Sequence, residues 1–194
     1  LTIAALIGNL SRASFSWRET DWAAVRMYVV GAVPFAAIGA FIFVELDSAL
    51  IHRLLGAFIL LMIPARRWAA HHDMAVQRWH FLPLGAVMGL LSGIVGTVGP
   101  INAPFFLAYG LVKGAYLATE ALGAAVVHLT KSAVYGRFAA LDLETLSFGL
   151  VIGLALIAGS WLGKRIVMRL DTPAFIRTVE GLLAVSGILM LMGV

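Results

Sequence analysis

Long apolar runs constrain this sequence more than any other feature. Two of them, Trp22–Val44 and Leu143–Val167, are each more than 20 residues long. A helix rises 1.5 Å per residue, so about 20 apolar residues cross the hydrocarbon core of a bilayer. Hydrophobic residues make up 61% of the chain and charged residues 12%, against about 45–50% and about 25% in soluble domains. Because a soluble fold of this length cannot bury so much apolar surface, the composition predicts an integral membrane protein.

The apolar runs define six predicted helical segments, and the fold class is therefore an all-α polytopic transmembrane bundle. The first segment has no basic residues ahead of its apolar stretch, which excludes a signal peptide and indicates the tail of a helix. The segments are Leu1–Arg12, Trp22–Val44, Leu50–Ala65, Gly114–Arg137, Leu143–Val167 and Pro173–Val194.

The stretch between the third and fourth segments is predicted to be a broken helix. It opens with Gly85, Gly89 and Gly93, a spacing that favours close helix contact, and then runs through GTVGPINAP, residues Gly96–Pro104. Proline and glycine this dense end a helix. The apolar piece that follows, Phe105–Val112, is too short to span a bilayer. Irregular backbone at membrane depth survives only where protein or water covers it, so the break is the leading candidate site.

Two parts of the chain resemble each other and predict an internal repeat. Residues 8–17 match residues 127–136, so that Asn9 and Arg12 correspond to His128 and Lys131. Residues 46–53 match residues 170–177, and Gly39 falls on Gly163. We therefore predict that residues 1–79 are the remainder of a first repeat with a basic cytoplasmic loop, and that 80–194 are a complete second repeat. The first copy of the glycine break would lie ahead of Leu1.

Basic residues set the predicted orientation, because loops rich in Lys and Arg stay in the cytoplasm. If the glycine region crosses the membrane once, the fourteen basic residues divide almost evenly between the two sides. If it enters and returns, or crosses twice, only Arg53, Lys131 and Arg137 lie outside. The second arrangement is favoured. It gives each repeat an odd number of crossings and makes the two repeats inverted.

The break is predicted to bind an anion. Its backbone N–H groups and the helix N-termini that it creates present partial positive charge, and Thr97 and Asn102 add side-chain donors. The alternative is a structural kink with tight packing through glycine. The predicted substrate-binding residues are Gly96, Thr97, Gly99, Pro100, Asn102, Pro104 and Thr119.

A polar stripe on the fourth segment predicts a path through the bundle. Glu120, His128 and Lys131 recur at helical spacing on one face, and an ionisable residue inside the membrane is a candidate functional residue. Glu120 is the candidate proton carrier. Asn9 and Arg12, the first-repeat counterparts of His128 and Lys131, are assigned to the same path. Alternatively Lys131 extends toward the interface, His128 packs between helices, and only Glu120 is buried.

Other classes of site find no support in the sequence. There is no cysteine, no nucleophile elbow and no phosphate-binding loop. The three histidines of the basic loop lack carboxylate support, so neither a metal site nor a cofactor is expected. The basic residues are scattered rather than clustered, which argues against nucleic-acid binding. An enzyme is not expected, because no nucleophile and base stand at a workable spacing.

Three sequence blocks carry a family resemblance: GAVMGLLSGIVGTVGPINAPFFLAYGL, ATEAL and HLTKSAVYG. Together they resemble the second repeat of the TauE/SafE-type sulfite exporter family, and Asn9–Trp68 resembles the rest of a first repeat. The family has a glycine triplet where this chain has residues 98–100, and Thr-Ser where it has Thr119 and Glu120. An acidic Glu120 would repel a divalent anion unless it is protonated or paired, which suits proton coupling.

The resemblance implies a multi-pass protein of the cytoplasmic membrane that transports small anions. Sulfite, sulfoacetate and related organosulfonates are the expected substrates, and the bilayer and the anion are the expected partners. The alternative is a membrane scaffold or assembly partner without transport. Water access to Thr97 and Glu120 separates the two hypotheses. The sequence leaves the direction of transport, the coupling ion and the oligomeric state open.

Overall fold

The computed structural model describes residues 2–45, 76–95, 99–137, 143–178 and 181, and every regular element in these ranges is helical. Residues 172–178 are also helical. Short 3₁₀ turns at Trp17–Glu19 and Arg78–His80 precede the second and third helices. The six helices of ten residues or more are α1 (Thr2–Phe15), α2 (Trp22–Glu45), α3 (Phe81–Val95), α4 (Gly99–Ala108), α5 (Lys113–Arg137) and α6 (Leu143–Arg169).

The predicted segments at α1, α2, α5 and α6 are confirmed, with ends within a few residues of the sequence-based bounds. The predicted segment Leu50–Ala65 lies outside the described residues, as does most of Pro173–Val194. Two helical stretches among the described residues are long and apolar enough to cross a membrane, α2 and Leu146–Arg169 of α6. The all-helical prediction therefore holds for the part of the chain that the structure describes.

The bounds of α4 correct the prediction for the glycine region. The sequence favoured irregular backbone as far as Pro104, whereas α4 is helical from Gly99, so that Pro100, Asn102 and Pro104 all lie inside a helix. Pro100 lies in the first turn of α4, where a backbone N–H would have no helical partner, so its missing N–H costs no hydrogen bond. Pro104 removes only one further bond, which a short helix tolerates. Gly96 and Thr97 lie outside the described residues.

α4 ends in a Schellman motif. The N–H of Gly110 donates to the carbonyl of Leu107, and the N–H of Leu111 donates to that of Phe106. This closure needs a left-handed residue, and Gly110, at φ 98°, supplies it. The motif turns the chain sharply from α4 into α5.

Glycines bring α2 and α3 into backbone contact. A Cβ atom placed on Gly31 would overlap the carbonyl oxygen of Leu82, and one on Gly39 would lie 3.0 Å from the Cα of Gly93. Early residues of α2 meet early residues of α3, and late residues meet late ones, so the two helices run parallel. Small residues at such an interface allow the close packing that drives helix association in a bilayer.

The other contacts fix the directions of α1, α5 and α6 relative to α2. α1 runs parallel to α6, with Ile3 against Gly149 and Ile7 against Gly153. α2 runs parallel to α5, with Asp21 at Thr119 and Tyr28 against Gly123. The starts of α2, α3 and α5 and the ends of α1, α4 and α6 therefore lie together, at the end of the bundle that we call the Asp21 end (residues 16–21, 76–80 and 109–112). The α3–α4 segment leaves from the Asp21 end and returns to it. This is the path that the distribution of basic residues favours.

Candidate functional site

A buried ion pair joins α1 to α5. The Glu120 side chain is only 3% exposed, and its Oε2 accepts a hydrogen bond of 2.8 Å from Nη2 of Arg12, whose side chain is 34% exposed. The same Nη2 also donates to Oδ1 of Asn9. A carboxylate inside a protein needs such a partner, because burial removes the water that would otherwise stabilise its charge. Sequence analysis assigned these three residues to one path, and the structure brings them together.

Two buried polar atoms on α5 have unused hydrogen-bonding capacity. Among the described residues, Oε1 of Glu120 and Nδ1 of His128 are buried without a hydrogen-bond partner. Buried polar atoms normally find partners in protein or water. The two atoms therefore mark positions on α5 where water or a polar ligand could bind.

Lys131 is fully buried and binds the end of α3. Its Nζ donates to both the carbonyl oxygen and the Oγ of Ser92, each at 3.0 Å. One turn further along α5, the hydroxyl of Tyr135 donates to the carbonyl of Gly93 at 3.2 Å. The last carbonyls of a helix lack intrahelical partners and carry partial negative charge, so a buried ammonium and a hydroxyl satisfy them well. Lys131 thus holds the C-terminal end of α3, immediately before residues 96–98.

These burials disagree with one part of the structural alternative for the stripe. That alternative placed only Glu120 in the interior, with Lys131 extended to the interface, whereas Glu120, His128 and Lys131 are all buried. Glu120 and Lys131 are eleven residues apart on α5, or roughly 16 Å along the helix axis. The stripe therefore has two separate charged centres, the Arg12–Glu120 pair and the Lys131–Ser92 contact.

Asn102 is the buried polar residue of α4. Its Nδ2 donates to the hydroxyl of Tyr28 on α2 at 3.0 Å, while its Oδ1 has no partner in the described part of the chain. An amide that uses one of its groups for a tether keeps the other available. Asn102 both fixes α4 against α2 and leaves a free acceptor.

Thr119 has a structural contact that the sequence did not predict. Its buried Oγ1 accepts a hydrogen bond of 3.0 Å from the backbone N–H of Asp21. The Asp21 carboxylate caps the first turn of α2 through two backbone N–H groups at 3.0 Å and accepts from the Tyr109 hydroxyl at 3.2 Å. A hydrogen bond with Tyr109 raises the pKa of Arg78, at the same end of the bundle. Thr119 therefore lies in a network at the Asp21 end, about 18 Å along α5 from Lys131.

A cavity of about 260 Å³ lies between α1, α5 and α6. Two cations line it, Arg12 and Lys164, and Lys164 donates to the last carbonyl of α1, on Phe15. Sequence analysis did not single out Lys164, since a lysine in the last turns of a membrane helix is common. The remaining lining residues are mostly apolar or small: Phe15, Leu117, Leu156, Gly159, Ser160, Gly163 and Val167.

A protein-family model described as "Sulfite exporter TauE/SafE" matches residues 1–190, nearly the whole chain. No curated protein and no solved structure matches.

Proposed function

Because the chain belongs to the TauE/SafE family of sulfite exporters, a family of membrane transporters, we propose that it is a secondary transporter of small anions in the cytoplasmic membrane. Sulfite, sulfoacetate and related organosulfonates are the proposed substrates. The observation that carries the proposal is a buried cation, Lys131, at the C-terminal end of α3. Burying a lysine is costly, and a transporter of anions is a setting in which that cost serves a purpose.

The anion binds where α3 ends and α4 begins. The first N–H groups of α4 have no helical partners, and the helix start adds partial positive charge. Lys131 contributes a full positive charge at the C-terminal end of α3, and Asn102 contributes a polar amide on the first turns of α4. Discontinuous helices form the substrate sites of many secondary transporters in this way. The proposed substrate-binding residues at this point are Gly96, Thr97, Gly99, Pro100, Asn102 and Pro104. Thr119, which the sequence placed with them, lies instead in the network at the Asp21 end.

Proton coupling is proposed to pass through Glu120. Its charge is balanced by Arg12 in the described state. A proton on Glu120 weakens that bond and frees the Arg12 guanidinium, which changes the charge beside the path without leaving a buried carboxylate unpaired. His128, buried between the two charged centres, is the proposed intermediate position of the path. Asn9 holds Arg12 in place.

Alternating access between two inverted repeats is the proposed mechanism. The contacts of the described helices support this mechanism. Where two residues lie close together, their counterparts in the other repeat lie close together as well. Ile3 packs on Gly149, and their counterparts Leu122 and Val25 share one apolar cluster. Counterpart helices also run in opposite directions, α1 against α5 and α2 against α6. An axis in the membrane plane that relates the two repeats requires both features.

Flux in proteoliposomes tests the proposal. We expect uptake of radiolabelled sulfite or sulfoacetate that depends on an imposed pH gradient in the parent. Glu120→Gln is expected to lose that dependence, because the variant keeps the shape of the side chain without a titrating proton. Glu144→Gln, on the exposed first turn of α6, is the matched control and keeps parental behaviour.

Absence of flux for both anions would contradict the substrate proposal and favour a scaffold. Water access then decides between the two, because the chain has no native cysteine. In a transporter, Thr97→Cys reacts with a membrane-impermeant maleimide from one side at a time. In a scaffold it reacts from neither side.

A further inference from the structure

The side chain of Asn102 uses its hydrogen-bond donor within the protein and leaves its acceptor unused. Its Nδ2 donates to the hydroxyl of Tyr28 at 3.0 Å, and its Oδ1 is buried without a partner among the described residues. Asn102 as a whole is only 3% exposed. The sequence alone suggested that Asn102 offers a donor to an anion, whereas the atom that the structure leaves over is an acceptor.

Tyr28 holds this orientation because neighbouring helices fix it from several sides. Its ring lies against Gly123 of α5, where a Cβ would come within 2.9 Å, and its carbonyl oxygen lies on Gly85 of α3, where a Cβ would overlap it. The ring also packs with that of Phe106, one turn after Asn102 on α4, at 5.9 Å between centroids. A hydroxyl held so firmly keeps the amide nitrogen on its side, so the amide oxygen points elsewhere.

Asn102 belongs to the first turns of α4, where the proposed anion site lies. α4 begins at Gly99, and the first N–H groups of a helix attract an anion. An amide oxygen has the opposite effect, because its partial negative charge repels the oxygens of the anion. A buried acceptor needs a hydrogen-bond donor, and an anion satisfies it only if the anion carries a donor of its own.

We propose that Asn102, positioned by Tyr28, makes the anion site selective for small sulfonates and related anions that carry a hydrogen-bond donor. The charged oxygens of the substrate bind the first N–H groups of α4, and its hydroxyl group donates to Oδ1 of Asn102. Among the proposed substrates, this favours the forms that keep a proton, hydrogen sulfite and singly ionised sulfoacetate. The inference rests on the proposed function, which places the substrate at the start of α4. Tyr28 is a positioning residue that acts through the amide of Asn102.

Two sulfonates that differ by one hydroxyl group test the selectivity. 2-Hydroxyethanesulfonate and ethanesulfonate carry the same single negative charge near neutral pH, so the charge of Glu120 affects both alike. Each is titrated into the purified parent chain in detergent, and the concentration that gives half of the maximal rise in melting temperature is measured. A buried acceptor left without a donor weakens binding roughly tenfold. We therefore expect 2-hydroxyethanesulfonate to act at the lower concentration by about that factor.

Variants of the two residues test the mechanism of selection. Tyr28→Phe keeps the ring and removes the hydroxyl, so the amide of Asn102 can turn its nitrogen toward either ligand, and we expect the two half-saturating concentrations to become nearly equal. Asn102→Leu removes the acceptor and is expected to lose the preference as well. The control is Tyr116→Phe, at another buried tyrosine whose ring packs against Phe175, and it is expected to keep the parental ratio. A general loss of stability lowers the melting temperature of a variant without changing this ratio.

Equal half-saturating concentrations in the parent would overturn the inference, as would a preference that survives in both Tyr28→Phe and Asn102→Leu. The opposite preference, or no rise in melting temperature with either ligand, would overturn it too. The measurement does not require transport, so its outcome is separate from that of the flux assay. Sulfite flux without the preference leaves the proposed function standing and removes this inference, whereas the preference without flux removes transport and leaves the binding site.

Discussion

α5 and α6 are helices of similar length, 25 and 27 residues, that use their polar and apolar residues in opposite ways. α6 contains an apolar span of mean hydropathy 1.9, of which only 11% is buried in the described bundle. α5 is not among the apolar spans, yet it buries a glutamate, a histidine and a lysine. In a bilayer the apolar helix can face lipid, whereas a charged residue must face protein or water. High hydropathy therefore marks the helix that can face lipid, and buried charge marks the helix in the interior of the bundle.

The largest expected difference between the two helices concerns their carboxylates. Glu120→Leu on α5 leaves the Arg12 guanidinium inside the bundle without its counter-charge. Removing one partner of a buried pair costs about 3–5 kcal/mol, and we expect the lower part of that range because Arg12 is one-third exposed. Thermal unfolding in detergent, followed by circular dichroism, measures the loss.

Two further variants show whether the loss comes from the unpaired charge. Glu144→Leu on α6 is the control, and since that carboxylate is exposed we expect no measurable change. The double variant with Arg12→Met and Glu120→Leu is expected to recover most of the stability, because it removes both charges. If the double variant is as unstable as Glu120→Leu, the pair is not the cause.

The next difference concerns glycines. Gly123→Val on α5 places a branched side chain against Tyr28, because even a Cβ there would lie 2.9 Å from the ring. Tyr28 cannot move freely, since its hydroxyl accepts from Asn102. Overpacking of this kind costs about 1–3 kcal/mol. Gly159→Val on α6 meets no atom of the described residues within 4 Å, so equal melting shifts for the two variants would contradict the difference in packing.

The sequence predicted the helices and the stripe on α5, because both depend on local periodicity. A run of apolar residues fixes a spanning helix, and steps of three and four residues place Glu120, His128 and Lys131 on one face whatever the tertiary structure. These parts of the site follow from spacing along the chain. The pairing of Arg12 with Glu120 does not, because the repeat alignment assigned Arg12 to the path only as the counterpart of Lys131.

The sequence could not predict contacts between residues distant in the chain. The partner of Thr119 is the backbone of Asp21, 98 residues away, and no spacing rule links the two positions. The partner of Lys131 is Ser92 on α3, a residue that no spacing pattern singled out. The start of α4 was misplaced because Pro100 and Pro104 were taken as helix breakers, although a proline near a helix start is compatible with it. Such outcomes depend on which helix packs against which.

The smallest difference we predict concerns two hydroxyl groups with similar bonds and unlike surroundings. Tyr135 on α5 donates to the carbonyl of Gly93 from a buried position, and Ser147 on α6 donates to the carbonyl of Glu144 at the surface. Tyr135→Phe leaves that carbonyl without its donor where water does not reach, and a lost bond of this kind costs about 0.5–1.5 kcal/mol. Ser147→Ala loses a bond that solvent replaces. The melting shift is therefore expected for Tyr135→Phe alone, and equal shifts would mean that the end of α3 is open to water.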